Sequence, residues 1–254
     1  MNFERDGYEV VDMFKNGIAI VEEARAKLTE LIGDLDSYHE RVPHENLILH
    51  AEALEVVKDI PRRVIESELR YFQMLLGPDL HIQQVPFLRI SRPFVKSDNI
   101  GFHRDTWYGD TPYEISVWIP LTDTDEGNAL ALAKGSHVWA EEADKIERVA
   151  GSVAKGSAKH ALGFIHSEPK RLRGDAAMVT PLPVKVGQMV VFSLAMLHGQ
   201  EMNRSTRTRF SMDCRLTNSM APVKHSRSRN PDYYERLCAG PVMRTALKYY
   251  EAQK

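Results

Sequence analysis

Residues 190–216 read VVFSLAMLHGQEMNRSTRTRFSMDCRL and contain an apolar run, a polar turn and a segment of alternating side chains. His198 ends the apolar run, and Arg209 opens the alternating segment. Side chains two positions apart lie on the same face of a β-strand. The alternation would give a polar face with Arg209, Ser211, Asp213 and Arg215, and an apolar face with Phe210, Met212, Cys214 and Leu216. We therefore expect a strand whose apolar face packs on the core while its polar face lines a separate space.

The rest of the chain changes character near residue 80. Three segments before this point carry apolar residues at helical spacing: 20–40, 52–59 and 62–77. The third should open at Pro61 and end at Gly77. Short β-rich segments follow, at 81–94, 113–121, 128–135, 183–197 and 209–217. Helices first and strands later predict an α+β fold that is mainly β, without alternating βαβ units.

We expect one domain over residues 1–254. Its parts would be a helical support at 1–78, a β region at 80–217 and a C-terminal helical segment at 218–254, with the last helix beginning near Pro231. A polar stretch at 140–175 interrupts the strands, and a loop of that length is usually a functional lid or a disordered insert. Its basic part, 151–174, would suit either a lid that draws an anionic substrate or a solvated surface loop.

The composition excludes several classes of protein. The 33 basic and 35 acidic residues nearly cancel, so the chain has no electrostatic footprint for nucleic acid. Two cysteines are too few for a disulfide framework. No apolar run approaches the length of a membrane-spanning helix, and the N-terminus is charged where a signal peptide would be apolar. These features predict a soluble cytoplasmic protein with reduced thiols that binds neither nucleic acid nor membrane.

A second stretch, FHRDTWYGD at 102–110, contains a histidine and an aspartate two positions apart. On a strand, His103 and Asp105 would project side by side and Arg104 would point away. The pair can hold a metal, share a proton or exchange a single hydrogen bond at a strand edge. Trp107 and Tyr108, which follow immediately, can close a substrate pocket or pack in the core.

His198 supplies a possible third ligand. Two histidines and one carboxylate form the set that binds non-haem Fe(II) on one face and leaves the opposite positions open. A keto acid can chelate at those positions, and its far carboxylate then needs a planar, permanently charged fork. Arg209 stands where such a fork is expected, and Ser211 on the same face can add a hydroxyl. Asp213 and Arg215 would either pair with each other or meet the substrate.

Four segments carry a resemblance to a known family: FHRD at 102–105, VWIPLTDTDEGNALALAKGSH at 117–137, VKVGQMVVF at 184–192 and LHGQEMNRSTRTRF at 197–210. Over roughly residues 80–217 the chain resembles the phytanoyl-CoA dioxygenase-like branch of the Fe(II)/2-oxoglutarate oxygenases. It departs from the family pattern at Ala129, after Asn128, and at Lys134, before Gly135. The resemblance implies a double-stranded β-helix, a jelly-roll or cupin-like barrel, backed by N-terminal helices.

The same resemblance implies roles for particular residues. His103, Asp105 and His198 would be the iron ligands, and Arg209 would anchor 2-oxoglutarate. Further positions near the cosubstrate would be Trp118, Arg89 and Gln200, of which Gln200 stands where a serine is frequent. One related branch makes carbon–halogen bonds and lacks the carboxylate ligand, so Asp105 argues against halogenation here.

The implied activity is a dioxygenase reaction. It uses Fe(II), dioxygen and 2-oxoglutarate, releases succinate and carbon dioxide, and oxidises an unactivated carbon of a small polar metabolite that is carbohydrate-like or from secondary metabolism. Hydroxylation, desaturation, epimerisation and ring formation are all possible outcomes. Two alternatives remain: a metal-dependent isomerase or hydrolase on the same barrel, and a ligand-binding module without catalysis.

Overall fold

The computed structural model describes residues 2–98, 101–108, 110–140, 146–148, 170–172, 179–200, 202–221 and 233–253. Helices form its N-terminal part and its C-terminal end. They are α1 (Phe3–Asp6), α2 (Lys15–Ile32), α3 (Tyr38–Arg41), α4 (Leu47–Val57), α5 (Ile60–Ser67), α6 (Leu69–Leu76) and α7 (Pro241–Glu251). None of the helices in the described part of the chain is long and apolar enough to cross a membrane.

The strands begin with one N-terminal strand and then follow the helical region. They are β1 (Tyr8–Asp12), β2 (Leu80–Gln83), β3 (Phe87–Ser91), β4 (Glu114–Pro120), β5 (Ala131–Leu132), β6 (Ile146–Arg148), β7 (Lys170–Leu172), β8 (Thr180–Pro181), β9 (Gln188–Ser193), β10 (His198–Gly199), β11 (Arg209–Asn218) and β12 (Tyr234–Cys238). All strand pairs are antiparallel.

The strands form a large sheet and a small sheet that carry the site between them, and a separate hairpin. The large sheet has the order β1-β9-β4-β11-β2-β12, and β3 also pairs with β11. The small sheet has the order β10-β5-β8, and within the described part of the chain β6 pairs only with β7. Two antiparallel sheets backed by helices confirm the expected α+β, mainly β architecture of the double-stranded β-helix type.

The apolar face of β11 packs on the helical layer. Its four predicted core residues, Phe210, Met212, Cys214 and Leu216, lie in one buried cluster with apolar residues of α2, α4 and α5. The ring of Tyr38 meets Phe210 edge to face, with centroids 5.3 Å apart. The alternation read from the sequence is therefore confirmed, and the polar face of β11 points toward the site.

A second apolar cluster lies on the site side of the large sheet. It contains Trp118 of β4, Val190 and Phe192 of β9, and Leu132 of β5. The large and small sheets therefore share an apolar lining on the site side, while the helical layer packs on the other face of the large sheet.

The predicted helix at 62–77 is two helices, and this expectation was wrong in its length. The chain breaks at Glu68, whose carboxylate is buried and accepts a hydrogen bond from the backbone N–H of Phe14 at 2.7 Å. Pro61 lies in the first turn of α5 and Gly77 follows the end of α6, as predicted. The tertiary contact of Glu68 overrides an uninterrupted helical pattern.

The expectation of a helix beginning near Pro231 was also wrong. Pro231 lies outside the described residues, but Tyr234–Cys238 is the strand β12, paired with β2. The last helix begins at Pro241. Edge pairing with β2 satisfies backbone groups that a sequence pattern cannot assign to a partner.

Candidate active site

Backbone hydrogen bonds join the segments that carry the two histidines. The N–H of His103 donates to the carbonyl of His198 at 2.8 Å, and the N–H of His198 donates back at 2.9 Å. The two rings lie with centroids 4.4 Å apart. Gly199 allows this approach, since a Cβ there would lie 2.8 Å from the carbonyl oxygen of Gly101.

Asp105 reaches the same point from a different local structure than predicted. It does not continue a strand but begins the 3₁₀ turn Asp105–Tyr108. Its Oδ1 nevertheless lies 3.4 Å from Nε2 of His103. Ligand atoms of His103, Asp105 and His198 all lie within 4.8 Å of one another, and all three side chains are buried. The expected convergence is present, although its cause is a turn and not strand geometry.

Each histidine presents the same ring nitrogen to this cluster. Nδ1 of His103 lies 2.7 Å from the carbonyl oxygen of Gly101, and Nδ1 of His198 lies 3.0 Å from that of Met196. A carbonyl only accepts, so Nδ1 carries the proton and Nε2 keeps its lone pair. Burial, followed by the proximity of His103, lowers the pKa of His198 to about 4. The neutral form that a metal requires therefore prevails at neutral pH.

Arg104 points away from the cluster, as predicted, and is fully buried. Its Nη1 donates to the carbonyl oxygens of Ser136 and Ala195. Ala195 lies three residues before His198. This guanidinium therefore ties the segment of His103 and Asp105 to the segment of His198.

The second oxygen of Asp105 faces Arg215. Oδ2 lies 2.8 Å from Nη2 of Arg215, and both side chains are buried. Burial acts to raise the pKa of Asp105, but Arg215 and the two histidines hold it well below its usual range. The alternative that Arg215 pairs with Asp213 is not observed, because Nε of Arg89 donates to Asp213 at 2.8 Å.

Arg209 lies buried without a carboxylate. Its Nη1 donates to the carbonyl of Asn128 at 3.2 Å, its Nε has no partner, and its guanidinium lies 5.5 Å from the ring centroid of Trp118. Among the described residues, no acidic group is within ion-pair distance of it. Burial lowers the pKa of Arg209 to about 10. Ser211, on the same face, has a buried hydroxyl without a hydrogen-bond partner. An unpaired buried cation beside an unpaired hydroxyl fits an absent carboxylate.

Two further predicted residues, Arg89 and Gln200, lie near the Arg209 end of the site. Arg89 of β3 stands opposite Ser211 in register, and its guanidinium lies 4.8 Å from the ring centroid of Phe87. Gln200 is buried and donates from Nε2 to the hydroxyl of Ser91 at 2.6 Å. Their contact with a cosubstrate remains a prediction.

Asn128 and Ser116 were not expected in this region from the sequence, and the partner of Arg215 was left open. Asn128 was noted only as a departure point in a hairpin, yet its carbonyl holds Arg209. Ser116 lies opposite Arg215 in register, a pairing that depends on how β4 is placed beside β11.

The structure describes Trp107, but not the side chain of Tyr108 and not most of the polar insert at 140–175. Trp107 packs on a buried cluster that includes Phe102 and Leu197. The side chain of Tyr108 lies outside the description, and the lid proposed for 140–175 falls almost wholly on undescribed residues.

Comparison with known proteins agrees with this geometry. The sequence model of the phytanoyl-CoA dioxygenase (PhyH) family matches residues 3–211. No curated protein sequence matches the chain significantly.

Three solved structures illustrate the similarity in fold. The non-heme monooxygenase ThoJ, in its apo form, is 20% identical with a TM-score of 0.61, over 99% of this chain and 92% of its own. The epimerase SnoN, solved with Fe3+, alpha ketoglutarate and nogalamycin RO, is 14% identical with a TM-score of 0.54, over 93% and 96% of the two chains. EctD from S. alaskensis is 17% identical with a TM-score of 0.51, over 94% and 83%.

At identities this low, the three structures show a common fold and no more. The family model, by contrast, matches residues 3–211, which is most of the chain. The resemblance stated from the sequence is thus confirmed. The chain belongs to the phytanoyl-CoA dioxygenase (PhyH) family, whose enzymes are non-haem iron proteins that use 2-oxoglutarate.

Proposed function

We propose that this protein is an Fe(II)- and 2-oxoglutarate-dependent dioxygenase that oxidises an unactivated carbon of a small polar metabolite, releasing succinate and carbon dioxide. The observation that carries the proposal is the combination of a buried His–Asp–His cluster with a buried arginine that lacks a carboxylate. The first suits the metal, and the second suits the far end of the cosubstrate.

The donor set supports iron. Two imidazole Nε2 atoms and one carboxylate oxygen, from His103, His198 and Asp105, would hold the iron, and they are the donor set that Fe(II) oxygenases use. Cys214, a possible soft ligand, lies on the opposite face of β11, and burial raises the pKa of its thiol to about 12. No thiolate therefore competes among the described residues around the cluster.

The buried polar groups support a dicarboxylate cosubstrate. Arg209 would bind the far carboxylate of 2-oxoglutarate through its guanidinium, and the hydroxyl of Ser211 would donate to it. The ring of Trp118 would flank the bound molecule. Burial strengthens the charge interaction, since a guanidinium and a carboxylate attract more strongly where water is excluded.

Iron, when bound at this site, supplies the activation of dioxygen that couples oxidative decarboxylation of 2-oxoglutarate to the removal of hydrogen from a carbon. The chain's own residues hold and orient the reactants. Nδ1–H bonds to backbone carbonyls fix both imidazole rings. The ring of Phe192 packs against that of His198, with centroids 4.8 Å apart.

The polar lining of the site supports a polar substrate. Arg89 and Asp213 form an ion pair on the site face of the sheet, and each side chain remains 14% exposed. Such a pair favours a substrate with hydrogen-bonding groups over a purely apolar one. Product analysis decides whether the substrate is hydroxylated or epimerised, the second being the activity for which SnoN is named.

The direct test is reconstitution of the apoprotein. Under anaerobic conditions, Fe(II) with 2-oxoglutarate should give a weak visible charge-transfer band. Succinate should then form only when Fe(II), 2-oxoglutarate and dioxygen are all present, and a screen of small polar metabolites should find compounds that stimulate it. Absence of both band and succinate would overturn the proposal. Turnover supported by zinc without dioxygen would instead assign an isomerase or a hydrolase.

A further inference from the structure

The two carboxylate oxygens of Asp105 have different surroundings. Oδ1 lies 3.4 Å from Nε2 of His103, on the side of the ligand cluster. Oδ2 lies 2.8 Å from Nη2 of Arg215, on the side of the large sheet. One oxygen therefore faces the position of a metal, and the other is engaged by a guanidinium.

Arg215 is itself held in place. It lies on the site face of β11, opposite Ser116 of β4, and its Nη1 donates to the hydroxyl of Ser116 at 3.3 Å. Its guanidinium lies 5.9 Å from the ring centroid of Phe87, and only 10% of its side chain is exposed. A long side chain confined in this way cannot follow Asp105 if the carboxylate rotates.

The contact acts through charge and not as an aligned hydrogen bond. Oδ2 of Asp105 has no hydrogen-bond partner of good geometry, although Nη2 of Arg215 is 2.8 Å away. The attraction between two buried opposite charges falls with distance rather than with the angle of an N–H bond. It therefore holds Oδ2 on the Arg215 side over a range of small rotations.

We propose that Arg215 is a positioning residue for the metal centre, which holds Oδ2 of Asp105 so that the carboxylate offers only Oδ1 to the metal. This inference rests on the proposed function. A carboxylate can bind a metal through one oxygen or through two. If Asp105 used both, it would take one of the positions that the keto acid and dioxygen need.

The position of Arg215 also predicts how a variant without Asp105 should behave. In Asp105→Gly, the guanidinium would face the space of the missing carboxylate without the oxygen that lies 2.8 Å from Nη2. A small carboxylate such as formate has the same charge and the same two oxygens. It should therefore occupy this space and restore the third ligand, but only while Arg215 is present.

The first test compares Arg215→Met with Arg215→Lys, which keeps the charge. Apoprotein is titrated with Co(II), whose visible absorption reports coordination, and with Fe(II) plus 2-oxoglutarate under anaerobic conditions. Because groups that orient a ligand contribute about 10–100-fold to metal affinity, Arg215→Met should weaken Co(II) binding by about that factor, with an altered spectrum, and Arg215→Lys should recover most of it.

Arg63→Met is the matched control, since it removes an arginine ion pair with Glu23 in the helical layer, away from the site. It should leave the Co(II) affinity and spectrum unchanged. Arg215→Met that binds Co(II) with the affinity and spectrum of the unaltered protein would overturn the proposal. A general loss of packing would not be repaired by lysine, so the rescue separates positioning from stability.

The second test does not require Arg215→Met to fold as a single variant. Asp105→Gly is compared with Asp105→Gly/Arg215→Met, in which both members of the Asp105–Arg215 pair are removed. Formate should tighten Co(II) binding in the first protein and not in the second. An equal response in both would overturn the proposal. If the unaltered protein gives no charge-transfer band, the proposed function fails, whereas the Co(II) and formate results still decide the role of Arg215.

Discussion

Arg92 and Asp98 form a two-pronged ion pair, with Nη2–Oδ1 at 2.7 Å and Nε–Oδ2 at 2.8 Å. Oδ2 of Asp98 also accepts the backbone N–H of Arg92 at 2.9 Å. The pair closes the loop that follows β3 and leads toward His103. Both side chains are nearly inaccessible, at 6% and 5% exposure, so a buried charge pair holds the loop.

Asp98→Asn should therefore destabilise the protein strongly. Removal of one partner from a buried ion pair costs about 3–5 kcal/mol, because the other charge remains buried and uncompensated. Urea unfolding followed by circular dichroism measures this loss. Asp59→Asn is the control, since its pair with Arg63 is exposed and such pairs contribute only about 0–1 kcal/mol. Equal losses for the two variants would contradict the buried-pair interpretation.

Arg209→Ala should raise the concentration of 2-oxoglutarate needed for half-maximal succinate formation by about ten- to a hundredfold, the equivalent of one charged hydrogen-bonding contact of about 1.5–3 kcal/mol. The metal ligands are unchanged, so the maximal rate should fall by a smaller factor than the 2-oxoglutarate requirement rises. Arg207→Ala is the control, because Arg207 lies in the same turn but pairs with Asp125 at the surface. If both variants change the requirement for 2-oxoglutarate equally, Arg209 is not the anchor.

The metal-free protein should lose stability as the pH falls. The folded pKa of His198, about 4, lies below the ordinary value of 6.5, so the unfolded chain binds a proton that the folded chain does not. The free energy of unfolding should therefore decrease from about pH 6.5 toward pH 4, by at most about 1.4 kcal/mol per pH unit from this group. Unfolding curves across that range, compared with those of His198→Gln, isolate the contribution. A profile that is identical in both proteins would contradict it.

The two thiols should differ in reactivity. Burial raises the pKa of Cys214 to about 12, whereas Cys238 is partly exposed. The thiolate is the reactive form, so a higher pKa lowers reactivity with an alkylating agent at a given pH. Mass spectrometry after brief alkylation of the folded protein should show label on Cys238 alone, and on both cysteines after unfolding in urea. Early labelling of Cys214 would mean that the apolar face of β11 separates readily from the helical layer.

The part of the fold that the sequence predicted best is β11, because its alternating side chains depend on one strand and one buried face. The convergence of His103, Asp105 and His198 was also predicted, from residue types and from the family pattern. The local structure at Asp105 was not, since a 3₁₀ turn and a strand can present the same two side chains to one point.

The partners of Arg215 and Asp213 could not be predicted because they depend on register. Arg215 meets Asp105 and Ser116, and Asp213 meets Arg89, only once β3 and β4 are placed beside β11. Charges two positions apart on a strand invite the assumption that they pair with each other. The position of β12 escaped prediction for a related reason, since an edge strand is defined by the neighbour it joins.

The reciprocal backbone bridge between His103 and His198 has a bearing on how this scaffold can diversify. It clamps together two points separated by roughly 95 residues, and the free energy of closing so long a loop changes by only about 0.6 kcal/mol when the loop doubles in length. The stretch 140–175 lies inside that loop. Its length and composition can accordingly drift through evolution, or be exchanged by design, while the geometry of the ligand cluster stays constant.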